Sequence, residues 1–92
     1  MTKYDKAGWL TAEAIRRGNQ HRQPSRDGNL DIRLRSKHGT QFRVEALSPK
    51  TEDVIHEYPF FSLAEARKRY TELVGQKPQK IFSPDANQNI IL

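Results

Sequence analysis

The sequence predicts an α+β domain: a three- to four-stranded antiparallel sheet with one main helix on one face, a short N-terminal helix and a basic loop. Three observations carry that prediction. Residues 30–37 and 41–47 alternate apolar and polar side chains with a period of two. Residues 54–58 bring together Val54, Ile55 and Tyr58, which favour extended chain. Residues 62–74 then switch to a helical period between clear start and stop signals. Strands followed by a helix, without β-α alternation, belong to the α+β class.

Taken in order, residues 1–9 show little periodicity. Thr11 caps a short helix over residues 12–17 that Gly18 ends, with Trp9 as an anchor at its entrance. Residues 18–29 hold Gly, Pro, Asn and Ser and no apolar side chain, so they read as a loop carrying Arg22 and Arg26. A structureless loop of that length in so small a domain is either functional or disordered.

Leu30, Ile32 and Leu34 share one face of the next strand, and Asp31, Arg33, Arg35 and Lys37 the other. Phe42, Val44 and Ala46 make the matching face of its neighbour. Between them Lys37, His38 and Gly39 read as a three-residue hairpin loop with Gly39 in the left-handed position. That loop pairs Leu34 with Phe42, Ile32 with Val44 and Leu30 with Ala46. A two-residue turn would instead set Leu34 against Arg43. On the outer face Arg33 then falls opposite Arg43, and Arg35 opposite Gln41. Like charges directly across a ladder destabilise it unless something neutralises them. Asp31 and Glu45 on the same face offer one neutraliser; a phosphate backbone is the other.

The third strand places Val54, His56 and Tyr58 on one side and Ile55 and Glu57 on the other, and Pro59 ends it. Ser62 and Glu65 form a capping box, and Phe61 just before the cap is expected to staple onto the first turn. Leu63, Ala66, Tyr70, Leu73 and Val74 form one apolar stripe, and Gly75 with Pro78 stops the helix. Arg67, Lys68 and Arg69 fan around the axis and are expected to form a solvated face with Glu65 and Glu72. Residues 79–83, around Ile81 and Phe82, are expected to form a short fourth strand. Ile90, Ile91 and Leu92 either pack back or make a contact. The organisation is a single domain over residues 1–92: arm, short helix and basic loop over 1–29, a β-β-β-α-β core over 30–83 and a tail over 84–92.

A chain of 92 residues buries only about two-thirds of its unfolded surface, so its core is small. It has no cysteine and no run of about 20 apolar residues able to span a bilayer, which predicts a cytoplasmic protein without membrane partners. The net charge of +5 is uneven. Residues 1–37 hold nine Lys and Arg against four acids, whereas residues 38–92 hold seven of each sign. A basic half beside a neutral half points a field at a polyanion.

Catalytic motifs are missing from the sequence. It has no P-loop, no G-x-G-x-x-G, no H-E-x-x-H and no G-x-S-x-G. His21, His38 and His56 lack metal-ligand spacing, and His56 and Glu57, as strand neighbours, face opposite sides. No metal, cofactor or small-molecule substrate is expected, and no enzymatic activity; a small nuclease using His56 and Glu57 is the weakest alternative. Binding is better supported. Arg16, Arg17, Arg22, Arg26, Arg33, Arg35, Lys37, His38 and Arg43 are the candidate nucleic-acid contacts. Trp9, Phe60 and Phe61 are candidate stacking residues for unpaired bases, Phe61 being the one that the staple already accounts for. The short first helix and long loop do not suit insertion into a duplex groove, whereas irregular RNA or a single strand fits a loop beside a basic strand face.

The order of an Arg-rich arm, strands over 30–37, 41–47 and 54–58, and a helix over 62–74 resembles small single-domain phage anti-CRISPR proteins. The resemblance covers about two-thirds of the chain and rests on element order, since that family shares no motif. It implies a non-enzymatic inhibitor that occupies a site on an RNA-guided surveillance complex of Cas proteins. Many such proteins are acidic DNA mimics; the basic character here implies contact with guide RNA or with an acidic protein surface instead. The expected function is an inhibitor that binds RNA or a ribonucleoprotein and acts by occlusion. The alternative is a protein–protein adaptor whose basic face meets an acidic partner.

Overall fold

The computed structural model describes residues 3–38 and 40–78. The elements run α1 (Ala12–Arg16), β1 (His21–Pro24), β2 (Asp31–Lys37), β3 (Gln41–Leu47), β4 (Val54–Phe60) and α2 (Leu63–Val74). The four strands form one antiparallel meander in the order β1-β2-β3-β4. Both helices lie on the same side of it, α2 across β2, β3 and β4 and α1 against β2. The α+β architecture expected from the sequence is therefore the observed one.

The helix ends follow local chemistry. Thr11 Oγ1 accepts the Ala14 N–H at the start of α1, and Ser62 Oγ accepts the Glu65 N–H at the start of α2. Gly75 closes α2 in the left-handed region, φ 86°, with its N–H donated to Thr71 O. The positive φ favours glycine there, and a side chain would also press on the Arg26 Nε at 3.0 Å. Ala66, Tyr70 and Val74 are buried beneath the helix, with Leu63 and Leu73 packed at their margin. They lie on Ile32, Leu34, Phe42, Val44 and Ala46, the apolar face that alternation predicts for β2 and β3.

Five expectations need correction. The 18–29 loop contains a strand, β1. Its inward positions are polar, and each is satisfied from elsewhere: Leu10 N–H donates to His21 Nε2 at 2.9 Å, and Tyr70 Oη donates to Gln23 Oε1 at 2.6 Å. The hairpin register is shifted by two residues. Leu34 pairs with Val44, Ile32 with Ala46 and Arg33 with Glu45, and the ladder closes at Lys37 and Gln41. A shift of two keeps every side chain on its face, so alternation alone cannot choose between the two registers. His38 sits in the left-handed region, φ 61°, and Lys37 pairs with Gln41; the expectation for Gly39 lies outside the described residues.

The third strand does not stop before Pro59 but runs through it to Phe60; among the described residues β4 is an edge strand, where a missing N–H disrupts no further ladder. Ile55 is the extra residue of a bulge between the Ala46–His56 and Leu47–Val54 pairs. The expected staple is absent: Phe61 is 76% exposed, and its neighbour Phe60 packs on the core instead. Arg67 does not belong to a solvated face. Its Nη2 donates to Leu10 O at 3.0 Å and its guanidinium lies 5.3 Å from the Trp9 ring centre. Arg69 pairs with Glu72 rather than Glu65.

The N-terminal segment is not a free arm. The Asp5 carboxylate accepts N–H groups from Ala7 and Trp9, and Thr11 N–H donates to Lys3 O. The expected fourth strand over 79–83 and the contact of Ile90, Ile91 and Leu92 lie outside the described residues. Among the described residues no helix is long and apolar enough to cross a membrane.

Candidate nucleic-acid interface

With both helices on one side, the other face of the sheet is left to the odd-numbered residues of β2 and β3 and the even-numbered Arg22 of β1. It presents Arg22, Arg33, Arg35, Lys37, Arg43 and Glu45, joined by Glu57 from β4. The turn over residues 48–53 folds toward this face and delivers Glu52, whose backbone sits at φ 67°.

At its centre is Glu45, fully buried. Arg33 donates to its Oε1 from Nε and Nη2 at 2.8 and 2.6 Å. Arg35 donates to Oε1 and Oε2 from Nε and Nη2 at 2.8 and 3.0 Å. Burial pushes the Glu45 carboxyl up, but hydrogen bonds from Arg35 and Arg33, with their charges, outweigh it and hold the group below the ordinary range. The same bonds from Glu45 raise Arg35 above its usual value. One carboxylate thus fixes two guanidiniums. It engages only the Nε and Nη2 sides, so the Nη1 donors of each lie beyond its reach.

The other arginines of the face are also paired. Arg43 bonds Glu57 through Nη1 and Gln41 Oε1 through Nε and Nη2. Arg22 donates to Asp31 at 2.9 Å and takes Glu52 in a two-point contact at 3.2 and 3.0 Å. Hydrogen bonds from Glu52 raise Arg22, and hydrogen bonds from Arg22 lower Glu52. Of the two neutralisers considered from sequence, the protein supplies its own: Asp31, Glu45, Glu52 and Glu57 answer Arg22, Arg33, Arg35 and Arg43.

The match is uneven along the strands. Toward the open end of the β1–β2 ladder, Arg22 meets two carboxylates, Asp31 and Glu52. Toward the β2–β3 turn, among the described residues, Arg33, Arg35, Arg43 and Lys37 share two directly bonded carboxylates, Glu45 and Glu57, with Glu52 acting on Arg33 from the Arg22 side and exposed His38 at the tip. The sequence-predicted set therefore divides. Arg33, Arg35, Lys37, His38 and Arg43 come together. Arg22 stands apart, its charge matched by two carboxylates.

The remaining basic candidates lie elsewhere. Arg16 sits over Phe42, 5.3 Å from its ring centre, on the helix side. Arg17 pairs with Glu13 on the exposed surface of α1. Arg26 packs on Gly75 at the end of α2 and lines an open pocket of about 350 Å3 with Leu30, Tyr58 and Leu73. Two of the candidate stacking residues do not suit that role. Trp9 is buried edge-on against His21 and Tyr70, with ring centres 5.4 and 5.8 Å apart. Phe60 packs inward opposite Phe42. Phe61, which the staple rule had assigned to the helix, is the exposed one of the three at 76%.

His21, His38 and His56 lie in the core, at the hairpin tip and on the edge strand, and the described residues contain no cluster of three metal-ligand side chains. No protein-family model, characterised protein or solved structure shows significant similarity to the chain.

Proposed function

We propose that the protein is a non-enzymatic nucleic-acid-binding inhibitor that uses the turn-side half of the sheet face opposite the helices. The observation that carries this reading is the pair of arginines held by one buried carboxylate, within a corner of surplus positive charge. Arg33 and Arg35 are already oriented, so less side-chain freedom is lost when they meet a ligand. Their outer donors, with Lys37 and Arg43, offer four cationic contacts to phosphate. Binding there covers nucleotides and works by occlusion. If the target is a guide RNA within a Cas complex, as the resemblance implies, the covered nucleotides are those that pair with the target.

Four phosphate contacts predict a salt slope near −0.7 per contact, so affinity for single-stranded RNA falls about 50-fold between about 50 and 200 mM salt. Replacing Lys37 and Arg43 together by alanine spares the Glu45 cluster and is expected to halve the slope. Arg22→Ala is expected to leave it unchanged. Fluorescence anisotropy across a salt series measures all three. Equal slopes in all of them would remove this face as the binding surface.

An adaptor function is the second reading, favoured by the exposed Val54 and Ile55 on the edge strand β4. Capture of an acidic protein that survives Lys37→Ala/Arg43→Ala and is lost on changing Val54 and Ile55 to Ser would support it.

A further inference from the structure

Among the described residues one large aromatic side chain lies outside the core. Phe61 is 76% exposed, more than Ile55 at 50% and Val54 at 38%. Phe60 before it is drawn into the core opposite Phe42, and Ser62 after it is extended and caps α2. Phe61 is thus held between a packed strand end and a capped helix, with its backbone fixed on both sides. Alternation past the inward Phe60 assigns its ring to the arginine side of the sheet, next to Pro59, the ladder partner of Arg43. The row Arg35–Arg43–Pro59 and the closing pair Lys37–Gln41 border it.

We propose that Phe61 is a stacking platform for one unpaired base of a single strand whose phosphates run over Arg35, Arg43 and Lys37. The inference rests on the nucleic-acid reading above and names the form of nucleic acid. Charge selects the occupant: an exposed ring bordered by surplus cations suits a ligand that is aromatic and anionic at once. Base stacking selects the single strand. In a duplex both faces of each base are already covered by neighbours, whereas an unpaired base offers a free face to an aromatic side chain. Glu57, bound to Arg43 yet still 40% exposed, adds an acceptor beside the ring for a base amino group.

The test is fluorescence anisotropy at about 50 mM salt, with a labelled single-stranded RNA of about 12 nucleotides and a duplex of the same sequence. The wild type is expected to prefer the single strand. Phe61→Ala is expected to weaken that binding by about 5- to 150-fold, with the salt slope retained and duplex binding unmoved. Phe61→Trp restores affinity, and its fluorescence is quenched on binding. Phe61 is exposed, so both variants keep the wild-type thermal melt. Unaltered single-strand affinity in Phe61→Ala, or equal binding of the duplex, overturns the inference and leaves the nucleic-acid reading standing. Binding of neither RNA overturns both. Self-association lost in Phe61→Ala without RNA assigns the ring to a contact between copies and also overturns the inference.

Discussion

Replacing Glu45 by alanine is expected to cost the fold about 3 kcal/mol, the lower end of the range for removing one partner of a buried ion pair. The carboxylate is fully buried and receives four hydrogen bonds, so its loss strands two guanidiniums side by side. Those guanidinium side chains are 18% and 29% exposed and can swing outward, which limits the damage. In a domain whose total stability is on the order of 5–15 kcal/mol the effect is large. Urea denaturation measures it as a lower midpoint with an unchanged slope. Glu13→Gln is the contrasting case. Its pair with Arg17 is exposed at 58% and 71%, and a change under about 1 kcal/mol is expected.

Acid is expected to destabilise the protein before Glu45 and Glu52 lose their charge. His21 is 3% exposed, and its Nε2 accepts the Leu10 N–H, which requires the neutral ring. Burial, then the nearby Arg67 charge, lower its pKa from 6.5 to about 4, with Asp5 opposing. Tyr70 and Trp9 pack against the same ring, and Tyr70 stays protonated because burial raises it. Between pH 6.5 and about 4 the unfolded chain binds a proton that the folded chain refuses, so stability falls as pH falls through that window. The loss approaches about 3 kcal/mol at the lower end. Glu45 and Glu52 have depressed pKa values, so their contribution holds above 4.5 and is lost only as pH drops through their folded values. Urea midpoints at pH 7.5 and pH 4.5 therefore isolate the histidine. His21→Gln is expected to flatten the difference between them.

The helix α2 was legible because its cap, stripe and stop all lie within 14 residues of one another, from Ser62 to Gly75. The faces of β2 and β3 were legible because alternation fixes parity. Parity cannot fix register, and the register decided the electrostatics: two residues of shift exchange Arg43 for Glu45 opposite Arg33. β1 was hidden because its inward residues are polar, and the groups that satisfy them come from Leu10 and from Tyr70, 47 positions away. Arg22 could not be discounted from sequence either, since its second carboxylate, Glu52, is 30 positions away. The candidate interface was thus visible as a list of arginines, but which of them carry surplus charge depends on pairings made by the fold.

The central claim is that Arg33, Arg35, Lys37 and Arg43 make the binding surface. Two-dimensional nitrogen–proton spectra of the arginine Nε–H groups, titrated with single-stranded RNA of about 12 nucleotides, test it most directly. Arg35 and Arg43 are expected to shift most, Arg33 with them, while Arg22 and Arg26 stay in place. Shifts confined to Arg16, Arg17 and Arg26, or no shift at all at low salt, would contradict the account.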